Sequence, residues 1–101
     1  MNYVGLTGRL VKDPELFKTE SGKDITTLTL AIPHNFKSMN GEYESDFVEC
    51  TLWEKLASTV CEYCHKGDTI CVKGRINIRT MENNDKISKK LEIIAEKITF
   101  L

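Results

Sequence analysis

The sequence predicts an all-β domain in which five long strands close into a small barrel, with a single helix between the third and fourth strands. Most of the 101 residues fall in stretches where apolar and polar side chains alternate, the pattern of strands with one buried face. One stretch, 53–68, has the spacing of an amphipathic helix instead. Gly5 and Gly8 interrupt the first strand, which suits the strong bending that so small a barrel requires.

The first two long strands are predicted at YVGLTGRLV (3–11) and ITTLTLAIP (25–33). Their apolar faces carry Val4, Leu6 and Leu10 in the first strand, and Leu28, Leu30 and Ile32 in the second. Between them, KDPEL and SGKD are turns that flank a short strand candidate, LFKTE. Pro33 limits the hydrogen-bonding ladder of the second strand because proline has no N–H to donate. The next segment contains Asn40-Gly41, a strong signal for a hairpin turn.

The third strand, DFVECTLW (46–53), has an unusual distribution of side chains between its two faces. One face is an ordinary apolar set for a core, consisting of Val48, Cys50 and Leu52. The other face is the polar one and carries Phe47, Glu49, Thr51 and Trp53. Two large aromatic rings therefore lie on the side of the strand that sees water, where the core cannot be their partner.

The segment WEKLASTVCEYCHKGD (53–68) predicts a helix that ends at Gly67, a residue suited to the position just past a helix. Cys61 and Cys64 lie on or beside its apolar stripe, where thiols often pack, although their C-x-x-C spacing is also that of a zinc site. Cys50 faces the core, and Cys71 shares its parity with basic residues. The packing interpretation predicts no metal, and a metal or redox site is the alternative.

The fourth strand, DTICVKGRINIRTM (68–81), is the most regular in its alternation. Its apolar face carries Ile70, Val72, Ile76 and Ile78, and its other face carries Lys73, Arg75, Asn77, Arg79 and Met81. The polar segment ENNDKISKK (82–90) predicts a loop, and LEIIAEKITFL (91–101) predicts the last strand. The apolar parity of that last strand changes partway along, which predicts a bulge or a strand buried on both faces.

Five antiparallel strands with a helix between the third and fourth are the architecture of the oligonucleotide/oligosaccharide-binding barrel, the OB-fold. We expect one such domain over residues 1–101, since there are no repeats and no linker. The N-terminus lacks a signal peptide and no run reaches the length of a membrane span, so a cytoplasmic protein is expected. Neither His34 nor His65 has a visible nucleophile or acid partner, so no enzyme and no cofactor are predicted.

The net charge of −1 does not by itself indicate a nucleic-acid partner, but the charges are unevenly distributed. Residues 20–50 contain two basic side chains against six acidic ones, whereas residues 66–90 contain seven basic against three acidic. A local basic stripe is the footprint that a nucleic acid needs. A solvated surface is the alternative interpretation.

Segments along the whole chain resemble the bacterial-type single-stranded DNA-binding protein (SSB) family. GRLVKDPEL resembles the opening signature of that family, and SGKDITTLTLAI resembles its second strand. DFVECTLWEKLASTVCEYCHKGD follows its third strand, helix and lysine-glycine turn, VKGRINIRT its fourth strand, and ITFL its end. Because the resemblance covers essentially all 101 residues, it is far more specific than any single motif.

The resemblance implies binding of single-stranded DNA with little sequence preference, in replication, recombination and repair, without catalysis. In that family aromatic rings outside the barrel stack on bases, and every base has a π-face, so stacking tolerates sequence. The matching positions are Phe36, Phe47 and Trp53 for the rings, Met81 where many members have an aromatic residue, and Arg9, Lys12, Lys73, Arg75 and Arg79 near the phosphates. The alternative for Trp53 is that it covers the helix that it precedes.

The resemblance also implies a homotetramer built from two dimers, associated with the nucleoid. The first strand leaves an edge that could pair with its copy in a second subunit. Primosomal replication protein N, a related short OB-fold that is dimeric, is the alternative within the binding class. SSB proteins usually continue into a flexible tail with an acidic tip that recruits replication proteins. The sequence ends at Leu101 without such a tail, so recruitment through it is not expected of these residues.

Overall fold

The computed structural model describes the backbone of residues 1–101 and all side chains except those of Phe36 and Tyr43. In chain order the elements are β1 (Val4–Leu10), β2 (Phe17–Lys18), β3 (Asp24–Lys37), β4 (Tyr43–Trp53), α1 (Glu54–Tyr63), β5 (Thr69–Asn83) and β6 (Lys86–Phe100). The strands form one sheet in the order β1-β5-β6-β4-β3-β2, and β1 pairs with β3 as well. This last pairing closes five strands into a barrel with α1 between the third and fourth of them, which confirms the predicted OB-fold.

The barrel interior is filled by one face of each barrel strand and by one side of α1. The buried apolar residues are Leu10, Leu28, Leu30, Cys50, Leu52, Ala57, Val60, Cys64, Ile70, Val72, Ile93 and Ala95. The predicted core parity of the first three long strands is confirmed, because the apolar face of each is buried or packs against this cluster. Burial of these side chains is the main favourable contribution to folding.

Gly8 and Gly74 lie where two strand backbones approach each other too closely for a side chain. Gly8 pairs with Ile70 of β5 and precedes Arg9, where pairing of β1 with β3 begins, and a Cβ atom at Gly8 would lie 2.9 Å from the carbonyl oxygen of Ala31. At Gly74 a Cβ atom would collide with the backbone carbonyl of Ile94 in β6. Close packing therefore explains the glycine at position 8, and the bend expected there stays a prediction. Gly5, the other glycine of β1, has ordinary room, since a Cβ atom there would lie 3.6 Å from the ring of Tyr3.

The close approach at Gly74 coincides with a bulge in β6. Lys73 pairs with Lys97, and the next residue, Gly74, pairs with Ala95, so Glu96 is the extra residue. One extra residue moves the following side chains to the opposite face. This bulge confirms one of the two explanations predicted for the change of parity in the last strand.

The loop predicted over residues 82–90 is wrong, because β5 and β6 continue as a hairpin to a two-residue turn at Asn84 and Asp85. Both turn residues have positive φ, 50° and 65°, the conformation of a type I′ hairpin turn. The hairpin projects beyond the barrel, so its outer part has no buried face and therefore no apolar alternation in its sequence. Ile76 and Ile78 lie on the predicted face of β5, but they are exposed because this part of the hairpin has no core to pack against.

The base of this hairpin is held by the N-terminus. The side-chain amide of Asn2 donates to the carbonyl of Ile76 at 2.7 Å, and its oxygen accepts from the N–H of Ile76 at 2.8 Å. These two bonds extend the pairing of β1 with β5 past its last strand pair, Val4 with Gly74.

The turns between the other strands follow the glycines. Gly22 and Gly41 have positive φ, as the predicted turns at SGKD and at Asn40-Gly41 require. The N–H of Gly41 donates to the Ser38 carbonyl at 2.9 Å, within a loop that is longer than a two-residue hairpin. β3 passes Pro33 and reaches Lys37, so Pro33 does not end the ladder, and the register shifts between these two residues instead.

The helix is shorter than predicted, because α1 ends at Tyr63 and the backbone at Cys64 is already extended. Gly67, predicted as the end of the helix, has a φ of 94° in the turn towards β5. Its N–H donates to the carbonyl of Leu10 at 2.8 Å, which ties this turn to β1. No helix in the described part of the chain is long and apolar enough to cross a bilayer.

The four cysteines are free thiols, with Cys50 and Cys64 buried and Cys61 and Cys71 half-buried. Burial raises the pKa of Cys50 to about 11. Burial also raises the pKa of Cys64, with smaller contributions from Asp68 and Cys61. Because the thiolate is the form that binds metals, a raised pKa supports packing as the role of Cys64.

We predict that Gly74→Ala lowers the free energy of unfolding by about 1–3 kcal/mol or more, since overpacking forces the backbone to move. Gly5→Ala is the matched control in a neighbouring strand, and its effect should stay below about 1 kcal/mol. Urea unfolding of both variants at one protein concentration measures the difference. Equal stabilities of the two variants would contradict the close approach of β5 and β6.

Candidate nucleic-acid interface

The outer face of β4 carries two aromatic side chains, as the alternation of this strand predicts. The side chain of Phe47 is 69% exposed and Trp53 is partly buried, whereas Cys50 and Leu52 are inaccessible to solvent. Trp53 lies six positions after Phe47 in an extended strand, so the two aromatic residues are roughly 20 Å apart. The predicted parity of the third long strand is therefore confirmed.

Phe47 belongs to a row of residues that crosses four strands. Phe47 pairs with Ala31, Ala31 pairs with Arg9, and Arg9 pairs with Thr69. Directly paired residues point to the same face of a sheet, so Arg9 and Phe47 share one surface at a distance of roughly 10 Å. A groove of about 370 Å³ follows this row and is lined by Thr7, Arg9, Ala31, Pro33, Ser45 and Thr69. Arg9, an exposed cation, thus lines a groove that follows the row in which the exposed Phe47 ring also lies.

Trp53 belongs to a second row, at the other end of β3 and β4. Trp53 pairs with Ile25, which in turn pairs with Phe17 of β2. A groove of about 130 Å³ beside this row is lined by Lys12, Asp13, Glu15, Phe17 and Thr27. Lys12 therefore shares a groove with Phe17, an aromatic residue that the sequence analysis did not select. A two-residue strand shows no alternation from which the orientation of Phe17 could have been read.

The β5–β6 hairpin brings Arg79 to the outer face of β3 and β4. A second groove of about 130 Å³ between them is lined by Ile25, Thr27, Glu49, Thr51, Arg79, Lys90, Leu91 and Glu92. The Nε atom of Arg79 lies 4.0 Å from Oε1 of Glu92, which also accepts a hydrogen bond from Asn77 at 2.9 Å. Glu92 thereby offsets part of the charge of Arg79. Lys90 pairs with Arg79 across the hairpin and adds a second cation, which the sequence analysis missed.

The remaining predicted residues are spread more widely. Arg75 and Met81 are exposed on the hairpin strand that also carries Arg79. Lys73 lies opposite Gly5, beside β1 and away from the two aromatic rows. Phe36 lies outside the described side chains. The structure therefore brings Arg9 to the groove beside Phe47, and brings Lys12 and Arg79 to the grooves beside the row of Trp53.

Neither histidine is among the residues that line these three grooves. The Nε2 atom of His34 lies 2.9 Å from Oδ1 of Asp46, its neighbour on β4. His65 follows the helix, and its backbone N–H donates to the Asp68 carboxylate at 2.8 Å. Among the described side chains, no group of three or more His, Cys, Asp and Glu residues is arranged to hold a metal ion.

Comparison with known proteins gives one consistent result. The model of the Single-strand binding protein family matches residues 1–101. Single-stranded DNA-binding protein B of Bacillus subtilis is 42% identical over 101 residues, which are 99% of this chain and 89% of the relative. Single-stranded DNA-binding protein 3 of Listeria innocua is 45% identical over 102 residues, which cover 100% of this chain and 64% of the relative.

A solved structure is also similar. The crystal structure of a deletion mutant of the single-stranded DNA binding protein from Thermus aquaticus matches with a TM-score of 0.82 at 27% identity. The match covers 100% of this chain and 50% of the Thermus chain. The chain thus spans most of the Bacillus relative, but about two thirds of the Listeria relative and half of the Thermus protein.

Proposed function

Because the chain belongs to the single-strand binding protein family, we propose that it binds single-stranded DNA with little sequence preference and without catalysis. The observation that carries this proposal is the exposed Phe47 ring on the outer face of β4, in one row with Arg9. The matched relatives from Bacillus and Listeria are both named as single-stranded DNA-binding proteins, which supports the choice of ligand.

Binding combines two kinds of contact on the outer face. Bases stack on the aromatic rings, and each stack contributes about 1–3 kcal/mol for any of the four bases. Phosphates approach the cations, which releases counterions from the strand. The proposed stacking residues are Phe36, Phe47, Trp53 and Met81, and the proposed phosphate contacts are Arg9, Lys12, Lys73, Arg75 and Arg79. In a duplex the base faces are already stacked on one another, so these rings bind single strands.

The proposed role is to cover and protect single strands during DNA replication, recombination and repair. Residues 1–101 act in this role as one binding domain. The proposed location is the cytoplasm, at the nucleoid, because that is where single-stranded bacterial DNA occurs.

We further propose that the protein assembles as a homotetramer. Residues 4–9 of β1 pair with β5, but only Arg9 and Leu10 pair with β3, which leaves most of the second edge of β1 open. An open edge is able to pair with a second copy, which satisfies its backbone groups. Exposed apolar residues of the hairpin, among them Ile76, Ile78, Ile87 and Leu91, supply further surface for contact between subunits.

We predict that oligo-dT quenches the fluorescence of Trp53, the single tryptophan, and binds far more tightly than a duplex of equal length. The reason is that a base stacked on the indole changes its environment, whereas paired bases cannot reach it. Titration with both ligands at one salt concentration measures the difference. Equal affinity for the duplex, or no binding of oligo-dT, would overturn the proposed function.

We predict that Phe47→Ala weakens binding of oligo-dT by about 1–3 kcal/mol, the range for removal of one base stack, with little change in stability. Leu52→Ala is the reciprocal control on the same strand, because Leu52 is fully buried. It should destabilise the fold by about 2–5 kcal/mol and leave the affinity of the folded protein unchanged. Titration and urea unfolding of both variants test the assignment, and the reverse pattern would mean that the faces are exchanged.

We predict that Arg75→Ala combined with Arg79→Ala flattens the salt dependence of binding. Removing one phosphate contact reduces the slope of log K against log salt by about 0.7 for a single strand. Lys55→Ala is the control, since Lys55 is an exposed cation on α1, outside the grooves. An unchanged slope in the double variant would remove both arginines from the contact surface.

We predict a solution mass of about 46 kDa by light scattering, which is four chains of 11.5 kDa. Pairing of open β1 edges gives dimers, and two dimers complete the assembly. A stable dimer would favour the assembly of primosomal replication protein N. A monomer would show that the edge of β1 remains unpaired.

A further inference from the structure

Phe17 is an exposed aromatic residue on the same surface as Trp53. β2 pairs with β3 through Phe17 and Ile25, and β3 pairs with β4 through Ile25 and Trp53. Paired residues share a face, so three apolar side chains form one row across three strands. The two rings are separated by two strand spacings, roughly 10 Å. Phe17 is 57% exposed, so much of its side chain is accessible to a ligand.

The segment that carries Phe17 is held firmly against the barrel. The buried Thr26 hydroxyl donates to the backbone carbonyl of Glu15 at 2.6 Å. Lys18, next to Phe17, forms an ion pair with Asp24 at 2.9 Å. A backbone segment that is already ordered loses little conformational entropy when a ligand binds to it. These contacts favour a binding role over that of a solvated turn residue.

The surface around this row is continuous with the hairpin. The groove that contains Arg79 and Lys90 and the groove that contains Lys12 and Phe17 are both lined by Thr27. A strand that leaves the hairpin can therefore cross β4 and β3 and reach β2 without leaving the protein surface. Asp13 and Glu15 also line the groove that contains Lys12 and Phe17. Because these carboxylates repel phosphates, bases rather than closely spaced phosphates fit this part of the surface.

We propose that Phe17 is a further base-stacking residue, and that the bound single strand runs from the β5–β6 hairpin across the Trp53 row onto β2. Lys12, in the same groove, contacts the phosphate next to the stacked base. This inference rests on the proposed function, since it extends the path of the same ligand.

The test compares Phe17→Ala, Phe17→Leu and Phe17→Tyr in titrations with oligo-dT of decreasing length. Tyr63→Ala is the matched control, because Tyr63 is a similarly exposed ring (64%) on α1, outside the grooves. We expect Phe17→Ala to weaken binding of long oligonucleotides at least about fivefold, the low end for removal of one base stack. Phe17→Leu should weaken binding as much, Phe17→Tyr should bind like the wild type, and Tyr63→Ala should have no effect. Oligonucleotides too short to extend past Trp53 should not distinguish the variants.

A second measurement uses the unmodified protein, so that it does not depend on the folding of any variant. Photo-crosslinking to oligo-dT that contains 5-iododeoxyuridine should yield a crosslinked peptide that includes Phe17. Wild-type affinity of Phe17→Ala or of Phe17→Leu at every length, or crosslinks that exclude this peptide, would overturn the inference. Failure of the wild-type protein to bind oligo-dT would overturn the proposed function itself, so the two failures are distinguishable.

Discussion

The close approach of two backbones at Gly74 is the constraint on which the rest of the barrel depends. A side chain at this position would collide with the Ile94 carbonyl, so only glycine lets β5 cross β6 at this distance. The bulge at Glu96 lies beside it and increases the local twist of the pair. Twist of this kind brings β1 round to β3 and closes the sheet. Closure in turn fixes the position of the Phe47 row, since Arg9 joins that row through the closing pair with Ala31.

Because side chains alternate along a strand, its two faces contribute separately to folding and to ligand binding. On β4 the inner residues are inaccessible to solvent and stabilise the fold, whereas Phe47 on the outer face is largely exposed. Because the two sets are separated by the sheet itself, changes on one face need not disturb the other. A ring on the outer face adds little to the core, and its hydrophobic surface is available for a ligand instead. The barrel therefore supports the candidate interface mechanically without sharing side chains with it.

The sequence predicts the barrel well because a buried face imposes a period of two wherever a strand lines the core. The parity of Phe47 and Trp53 could be predicted for this reason, and so could the fold and the position of the helix. The outer half of the β5–β6 hairpin could not, because Ile78 and its neighbours have no core to face, and polar residues there resemble a loop. The end of α1 was misplaced because Gly67 serves the following turn.

The candidate site is predictable only in part, because cross-strand neighbours depend on register. Phe17 and Lys90 meet the predicted residues through pairings that no local pattern specifies. Ion pairs are equally invisible in the sequence, and the contact of Arg79 with Glu92 changes the charge that a ligand meets. Resemblance to a family identifies positions, whereas the pairings show which of them share a groove.

The projecting hairpin makes the two sides of the interface unequal in their local stability. Beyond Ile76 and Ile93 its strands pair only with each other, and Asn2, which precedes β1, makes the last hydrogen bonds to the hairpin from the N-terminal segment. Backbone amides near the tip should therefore exchange with solvent by local opening at a small free-energy cost, while those of the buried residues of β3 and β4, such as Leu28 and Cys50, should exchange at a much larger cost. The groove that contains Arg79 therefore has a locally flexible side formed by the hairpin and a rigid side formed by β3 and β4. The hairpin can then adjust to the irregular shape of a single DNA strand, while the barrel holds the DNA in a fixed position.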